Sequence, residues 1–202
     1  MIEKVSFILD GEEIEAQADE TIWEIAKRRG TTIPHLCHRD KPGYRPDANC
    51  RACMVEIEGE RVLAPSCRRT PTPGMQVTTN NERARTARKM VLELLLADQP
   101  EKVKAHDPDS LLWHWIDEAG LGGSRFPARN ETPVSDTSHS AMSVNLDACI
   151  HCNLCVRACR EVQVNDVIGM ANRGAESQIV FDMNDPMGDS TCVACGECVQ
   201  AC

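Results

Sequence analysis

Cys149-Ile150-His151-Cys152-Asn153-Leu154-Cys155-Val156-Arg157-Ala158-Cys159 and Cys192-Val193-Ala194-Cys195-Gly196-Glu197-Cys198-Val199-Gln200-Ala201-Cys202 share one spacing, C-x2-C-x2-C-x3-C, and one ending, C-V-x-A-C. Cys37, Cys50, Cys53 and Cys67 complete the chain's twelve cysteines, so three quartets form with none left over. Spacing this tight suits four thiolates that each bond a separate iron at the corner of a cube. Three come from the C-x2-C-x2-C loop, and the fourth cannot turn back onto the same cube, so it bonds the neighbouring one. Cys149, Cys152, Cys155 and Cys202 are therefore expected to hold one 4Fe–4S cluster, and Cys192, Cys195, Cys198 and Cys159 the other. Ala194 and Gly196 are small enough to let backbone N–H groups approach the sulfurs, and such hydrogen bonds help set a cluster's potential.

Other uses of twelve thiols fit less well. The overlapping C-x2-C pairs are too tight for a secreted disulfide framework, and no signal sequence is read at Met1-Ile2-Glu3-Lys4. A four-cysteine zinc site takes one C-x2-C pair from each of two knuckles and would leave the third cysteine of each run surplus. Zinc stays open chiefly for the first quartet, whose spacing is looser. The length of 202 residues suits two small domains, and the net charge of −9 argues against a nucleic-acid partner. No apolar run reaches the length of a membrane span, and the expected compartment is a reducing cytoplasm.

The expected fold is α+β. Val5, Phe7 and Leu9 fall at alternate positions, Asp10-Gly11 turns, and Ile14 and Ala16 return: a hairpin. Thr21 and Glu24 form a capping-box pair for a helix running to Arg29, with Ile22, Ile25 and Ala26 inward and Gly30 as the stop. Val55, Ile57, Val62 and Leu63 predict a second hairpin turning at Gly59-Glu60. Strand pair, helix, cysteine loop and further strands is the order of a β-grasp 2Fe–2S domain, placed over residues 1–80. A helix and connector without metal follows over 81–140; Asn80 or Asn81 caps a helix from Glu82 to Ala97, with Met90, Val91, Leu94 and Leu95 as its buried stripe. The two-cluster ferredoxin-like domain occupies 141–202.

The first quartet has the spacing C-x12-C-x2-C-x13-C. With Cys50-Arg51-Ala52-Cys53 and Pro65-Ser66-Cys67 it resembles the N-terminal 2Fe–2S domain of the large complex I subunit, iron-only hydrogenases, the diaphorase subunit of NAD-reducing hydrogenases and NAD-dependent formate dehydrogenases. The run from Cys155 through Glu161-Val162-Gln163-Val164-Asn165-Asp166 to Gly169 is similar to the α subunit of the last group. So are Ile179-Val180-Phe181-Asp182, Asp185-Pro186-Met187-Gly188 and Ser190-Thr191 leading into Cys192. This resemblance implies a 2Fe–2S cluster on Cys37, Cys50, Cys53 and Cys67. It also implies a molybdenum or tungsten bis-pterin centre and a further 4Fe–4S cluster in a C-terminal part beyond Cys202, so that the chain is expected to be a fragment. The implied partner is a diaphorase-type subunit carrying FMN and reducing NAD, and the implied function is an electron relay from formate oxidation. The relay part of an iron-only or NAD-reducing hydrogenase, or a stand-alone ferredoxin-like carrier, is the alternative. Relatives also carry a histidine and three cysteines for another cluster after the long helix. Here Asp98-Gln99-Pro100 stands in that place, and no cysteine lies between Cys67 and Cys149. His35, His38, His106, His114, His139 and His151 are read as packing or surface residues, and Trp113 and Trp115 as a contact surface for a subunit or domain.

Overall fold

The computed structural model describes residues 4–202 and is α+β, with two compact units. The first runs to His38 and resumes over Pro46–Leu92; the second combines Arg39–Arg45 with Glu93–Cys202.

In the first unit, strands β1 (Lys4–Leu9) and β2 (Glu12–Gln17) pair antiparallel, with Leu9 opposite Glu12 and Phe7 opposite Ile14. The turn needs two left-handed residues; Asp10 (φ 50°) and Gly11 (φ 88°) supply them. Alternation then buries Val5, Phe7, Leu9, Ile14 and Ala16 on one face. Helix α1 (Ile22–Arg28) opens on the expected capping box: the Glu24 N–H donates to Thr21 Oγ1 (3.3 Å) and the Thr21 N–H to Glu24 Oε2 (2.7 Å). Ile22, Ile25 and Ala26 are fully buried against Phe7, Val55 and Val77 in a single core.

The sheet has five strands in the order β2-β1-β5-β3-β4. Strand β3 spans Met54–Ile57, but the return strand β4 is Ala64–Pro65, beyond the Val62 and Leu63 expected from the sequence. Val62 is 58% exposed. The centre of the sheet is β5 (Gln76–Thr78), parallel to β1 and antiparallel to β3. It follows Pro71-Thr72-Pro73-Gly74, and Val77 is its buried residue, too short a run to show alternation.

Helix α2 (Glu82–Ala97) begins where Asn81 Oδ1 accepts the Ala84 N–H at 2.9 Å. Its inward face differs from the predicted stripe. Ala84, Arg88 and Leu92 are buried; of the predicted stripe Met90 and Leu94 are exposed, whereas Val91 and Leu95 are half-buried. The apolar letters alone set the face off-centre because an arginine occupies the middle of the true one.

The second unit holds helix α3 (Leu111–Glu118), the short helix α4 (Leu154–Arg157), a π-helical turn over Ala158–Val162, the hairpin β6 (Ile168–Ala171) with β7 (Gln178–Phe181), and helix α5 (Glu197–Ala201). Trp113 and Trp115 on α3 are 5% and 3% exposed. They are buried within this chain, which corrects the subunit half of the expected subunit-or-domain contact. One small core joins Val156, Cys159, Val167, Ile168, Ile179, Phe181 and Met187. Another joins Tyr44, Leu154, Ala158 and Ala201.

Candidate metal centres

In the first unit Cys37, Cys53 and Cys67 are buried, and Cys50 is half-buried. The loop is held open by left-handed residues at Ala48 (φ 57°) and Arg51 (φ 59°). Its backbone points donors at sulfur. The Cys37 N–H donates to Cys50 Sγ (3.4 Å), the Cys50 N–H to Cys37 Sγ (3.4 Å) and the Ala52 N–H to Cys50 Sγ (3.5 Å). The thiols of Cys50 and Cys67 hydrogen-bond the Cys37 sulfur and hold its pKa far down, to about 2. Cys67 does the same to Cys53, lowering it to about 7. The donors move the other way: Cys50 is raised chiefly by Cys37, and Cys67 by Cys37 and Cys53. Four sulfurs linked in a row by hydrogen bonds (Cys50, Cys37, Cys67, Cys53), with N–H donors aimed at Cys37 and Cys50, suit an iron–sulfur cluster, whose cations replace the shared protons.

In the second unit Cys202 lies within electrostatic reach of Cys149 and Cys155, and Cys159 lies beside Cys192, Cys195 and Cys198. Cys155 is raised by burial first and then by the charges of Cys152, Cys202 and Cys149. Cys149 is likewise raised by burial, with Cys202 adding, and its sulfur accepts the His151 N–H at 3.4 Å. Cys198 is raised by burial and then by Cys192, Cys195 and, more weakly, Cys159. A small cavity is lined by those same four cysteines together with Met142, Asn165, Val167 and Ile168. Donors converge on its sulfurs: the Val167 N–H on Cys159 Sγ (3.3 Å), the Ala194 N–H on Cys192 Sγ (3.5 Å) and Asn165 Nδ2 on Cys195 Sγ (3.9 Å). Among the described residues no three His, Cys, Asp or Glu side chains surround a single point fit for one ion. Cluster ligation needs no such point: in a 4Fe–4S cube each thiolate bonds a separate iron, and in a 2Fe–2S centre only two thiolates share one.

The repeat is structural as well as literal. His151 and Asn153 in the first run, and Ala194 and Gly196 at the same places in the second, all have positive φ (52°, 63°, 56° and 76°). Left-handed backbone is therefore what the loop requires. The small size of Ala194 and Gly196, emphasised by the sequence, is not shared by His151 and Asn153.

Residues 39–45, which lie between Cys37 and Cys50 in the chain, belong to the second unit. Arg39 donates through Nε to the Ala201 carbonyl (2.9 Å) and through Nη2 to the Cys202 carbonyl (2.8 Å). The Tyr44 hydroxyl donates to Glu197 (2.7 Å), and Arg45 forks onto Glu161 (3.2 and 2.8 Å). This strap was not foreseen; only the long first gap hinted at it.

Four of the histidines have these neighbours. His35 and His38 lie edge-on to Trp23, with ring centroids at 4.7 and 4.6 Å. His114 faces Glu118 at 3.5 Å, and His139 Nδ1 accepts the Ala141 N–H. Asp98 binds arginine: its Oδ1 accepts the Arg129 N–H (3.0 Å) and its carbonyl accepts Arg129 Nη2 (2.8 Å).

Known proteins fit these two sites. Residues 3–82 match the model of the 2Fe-2S iron-sulfur cluster binding domain, and residues 141–202 that of the 4Fe-4S dicluster domain. The chain joins a 2Fe–2S domain to a 4Fe–4S dicluster domain. It is an iron–sulfur electron-transfer module. It is 33% identical over 205 residues to the NADP-reducing hydrogenase subunit HndD of Solidesulfovibrio fructosivorans, covering 98% of this chain and 35% of that one. It is 31% identical over 204 residues to a subunit of an NADH-quinone oxidoreductase of Rhizobium meliloti, covering 98% and 23%. A Staphylococcus haemolyticus protein provisionally named a formate dehydrogenase is 26% identical over 205 residues, covering 100% and 20%. Among solved structures, a chain of an NAD+-reducing [NiFe]-hydrogenase in the H2-reduced state superposes with a TM-score of 0.83 at 29% identity, covering 94% of this chain and 80% of that one. The module thus spans about a third or less of the length of these curated relatives. Among the described residues no helix is long and apolar enough to cross a membrane.

Proposed function

We propose that this module is the electron relay of a NAD(P)-linked, multi-subunit oxidoreductase. Cys37, Cys50, Cys53 and Cys67 hold a 2Fe–2S cluster. Cys149, Cys152, Cys155 and Cys202 hold one 4Fe–4S cluster, and Cys192, Cys195, Cys198 and Cys159 the other. When bound, these clusters supply one-electron carriers between a substrate-oxidising centre and a flavin- and NAD-binding partner subunit. The chain's own part is to present thiolates, exclude water around Cys37, Cys53 and Cys67, and aim N–H donors at the sulfurs. The observation that carries the reading is the spacing of the twelve cysteines into three quartets, within regions that match the 2Fe-2S and 4Fe-4S dicluster family models.

For the electron source we propose formate, oxidised at a molybdenum or tungsten pterin centre outside these residues. The run from Cys155 to Gly169 and the likeness to the staphylococcal protein support it. Hydrogen is the second reading, supported by the higher identity to HndD and by the likeness to the [NiFe]-hydrogenase chain.

Anaerobically purified native complex tests both levels. Formate should bleach the cluster absorbance and NAD should restore it. Bleaching by hydrogen and not by formate would transfer the module to a hydrogenase. Iron-free protein with stoichiometric zinc would refute the relay itself.

A further inference from the structure

Arg88 lies on the inward face of α2 and is 7% exposed. Its Nε donates to the Met54 carbonyl (2.8 Å), and its Nη2 to the Thr79 carbonyl. Met54 directly follows the ligand Cys53 in the chain, and Thr79 directly follows β5. Among the described residues no carboxylate forms an ion pair with this guanidinium. The nearest acidic influence, Asp10, already binds Thr79, accepting its N–H (2.6 Å) and its hydroxyl (2.7 Å). A buried cation without a partner costs several kcal/mol, so chains seldom keep one without a compensating charge nearby. Burial lowers the Arg88 pKa, and the strongest influence holding it up is the sulfur of Cys53.

We infer that Arg88 is a positioning residue for the 2Fe–2S centre, a fixed positive charge behind Cys53 that raises its reduction potential. This rests on the ligation of that cluster proposed above. Two ferric ions, two sulfides and four thiolates carry net negative charge, and one-electron reduction adds another. A cation held in a poorly screened interior favours the more negative, reduced form, which moves the potential upward. The α2 face also places the charge where salt cannot screen it.

The test is a potentiometric titration of the 2Fe–2S signal in full-length protein carrying Arg88→Lys, Arg88→Gln or Arg88→Met. Arg88→Lys keeps the charge and should titrate with wild type. Arg88→Gln keeps one donor, Arg88→Met keeps none, and both should titrate lower. The expected effect is about a tenfold drop in the reduced-to-oxidised ratio at fixed ambient potential, equivalent to about 59 mV for a one-electron couple. If the two neutral variants lose the cluster while Arg88→Lys retains it, the charge is again what matters. Equal potentials in all four proteins, or loss of the cluster in Arg88→Lys as well, would overturn the inference. A wild type lacking any 2Fe–2S signal would instead remove the ligation on which it rests.

Discussion

Replacing Cys159 by alanine separates crossed from local ligation. Cys159 is 7% exposed, its sulfur accepts the Val167 N–H, and it lines one cavity with Cys192, Cys195 and Cys198. Cys155, four positions earlier, feels Cys152, Cys149 and Cys202 instead. Wild-type protein should hold about ten irons, the sum of one 2Fe–2S and two 4Fe–4S clusters. Losing one cubane lowers this to about six. The buried Val167 N–H would also lose its acceptor, a local cost of about 1–3 kcal/mol. Iron analysis and low-temperature EPR of dithionite-reduced protein read the result, and double substitutions decide it. Cys159→Ala combined with Cys192→Ala should remove no more iron than either alone, because both strike one cluster. Cys159→Ala combined with Cys149→Ala should leave about two irons per chain, those of the 2Fe–2S centre. If instead Cys159 and Cys149 behave as one site, while Cys159 and Cys192 add, crossed ligation is wrong.

Four other expectations follow from single contacts. Thr21→Ala removes the capping box of α1 and should lower stability by about 1 kcal/mol in urea unfolding, with iron content unchanged. Gly188→Ala would set a Cβ 2.7 Å from the carbonyl carbon of Ser138, so it should cost about 1–3 kcal/mol and weaken protection of the Asp136–Val144 bridge in hydrogen exchange. Asp136 is held below the usual carboxylate range by the Ser138 hydroxyl first and the Met187 N–H next. Its contribution is therefore present above the unfolded-state pKa and lost as pH falls through the lower folded-state value, so acid unfolding of Asp136→Asn should be less steep than that of wild type. Arg39→Ala frees the Ala201 and Cys202 carbonyls and should broaden the EPR signal of the cluster held through Cys202, leaving the 2Fe–2S signal unchanged.

What the sequence revealed depended on how local each cause was. The β1–β2 hairpin and the α1 capping box were legible because Asp10-Gly11 and Thr21–Glu24 act over two or three residues. The cysteine groups were legible because their spacing is fixed by the object they hold. Strand β5 was not, since three residues with one buried valine carry no period, and its place between β1 and β3 is a purely tertiary matter. The buried face of α2 was misjudged for a related reason. Hydrophobic periodicity treats arginine as outward-facing, yet Arg88 sits inward between Ala84 and Leu92. The Arg39–Tyr44 strap reaches α5 across more than 150 residues, a separation that no local pattern encodes.

The misjudged face of α2 bears on how the module works. In an acidic chain the arginines that lie inside stand close to cysteine. Arg88 lies behind Cys53, Arg157 is 5% exposed between Cys155 and Cys159, and the side chain of Arg129 is 8% exposed with its charge acting on Cys149. Arg129 is held by Asp98, whose Oδ1 accepts its backbone N–H. An interior that will hold anionic clusters reverses the ordinary rule for burying cations: the guanidinium is the stabilising partner and the thiolate cage the charge to be balanced. Departures from hydrophobic periodicity at arginine are therefore a signal in such chains.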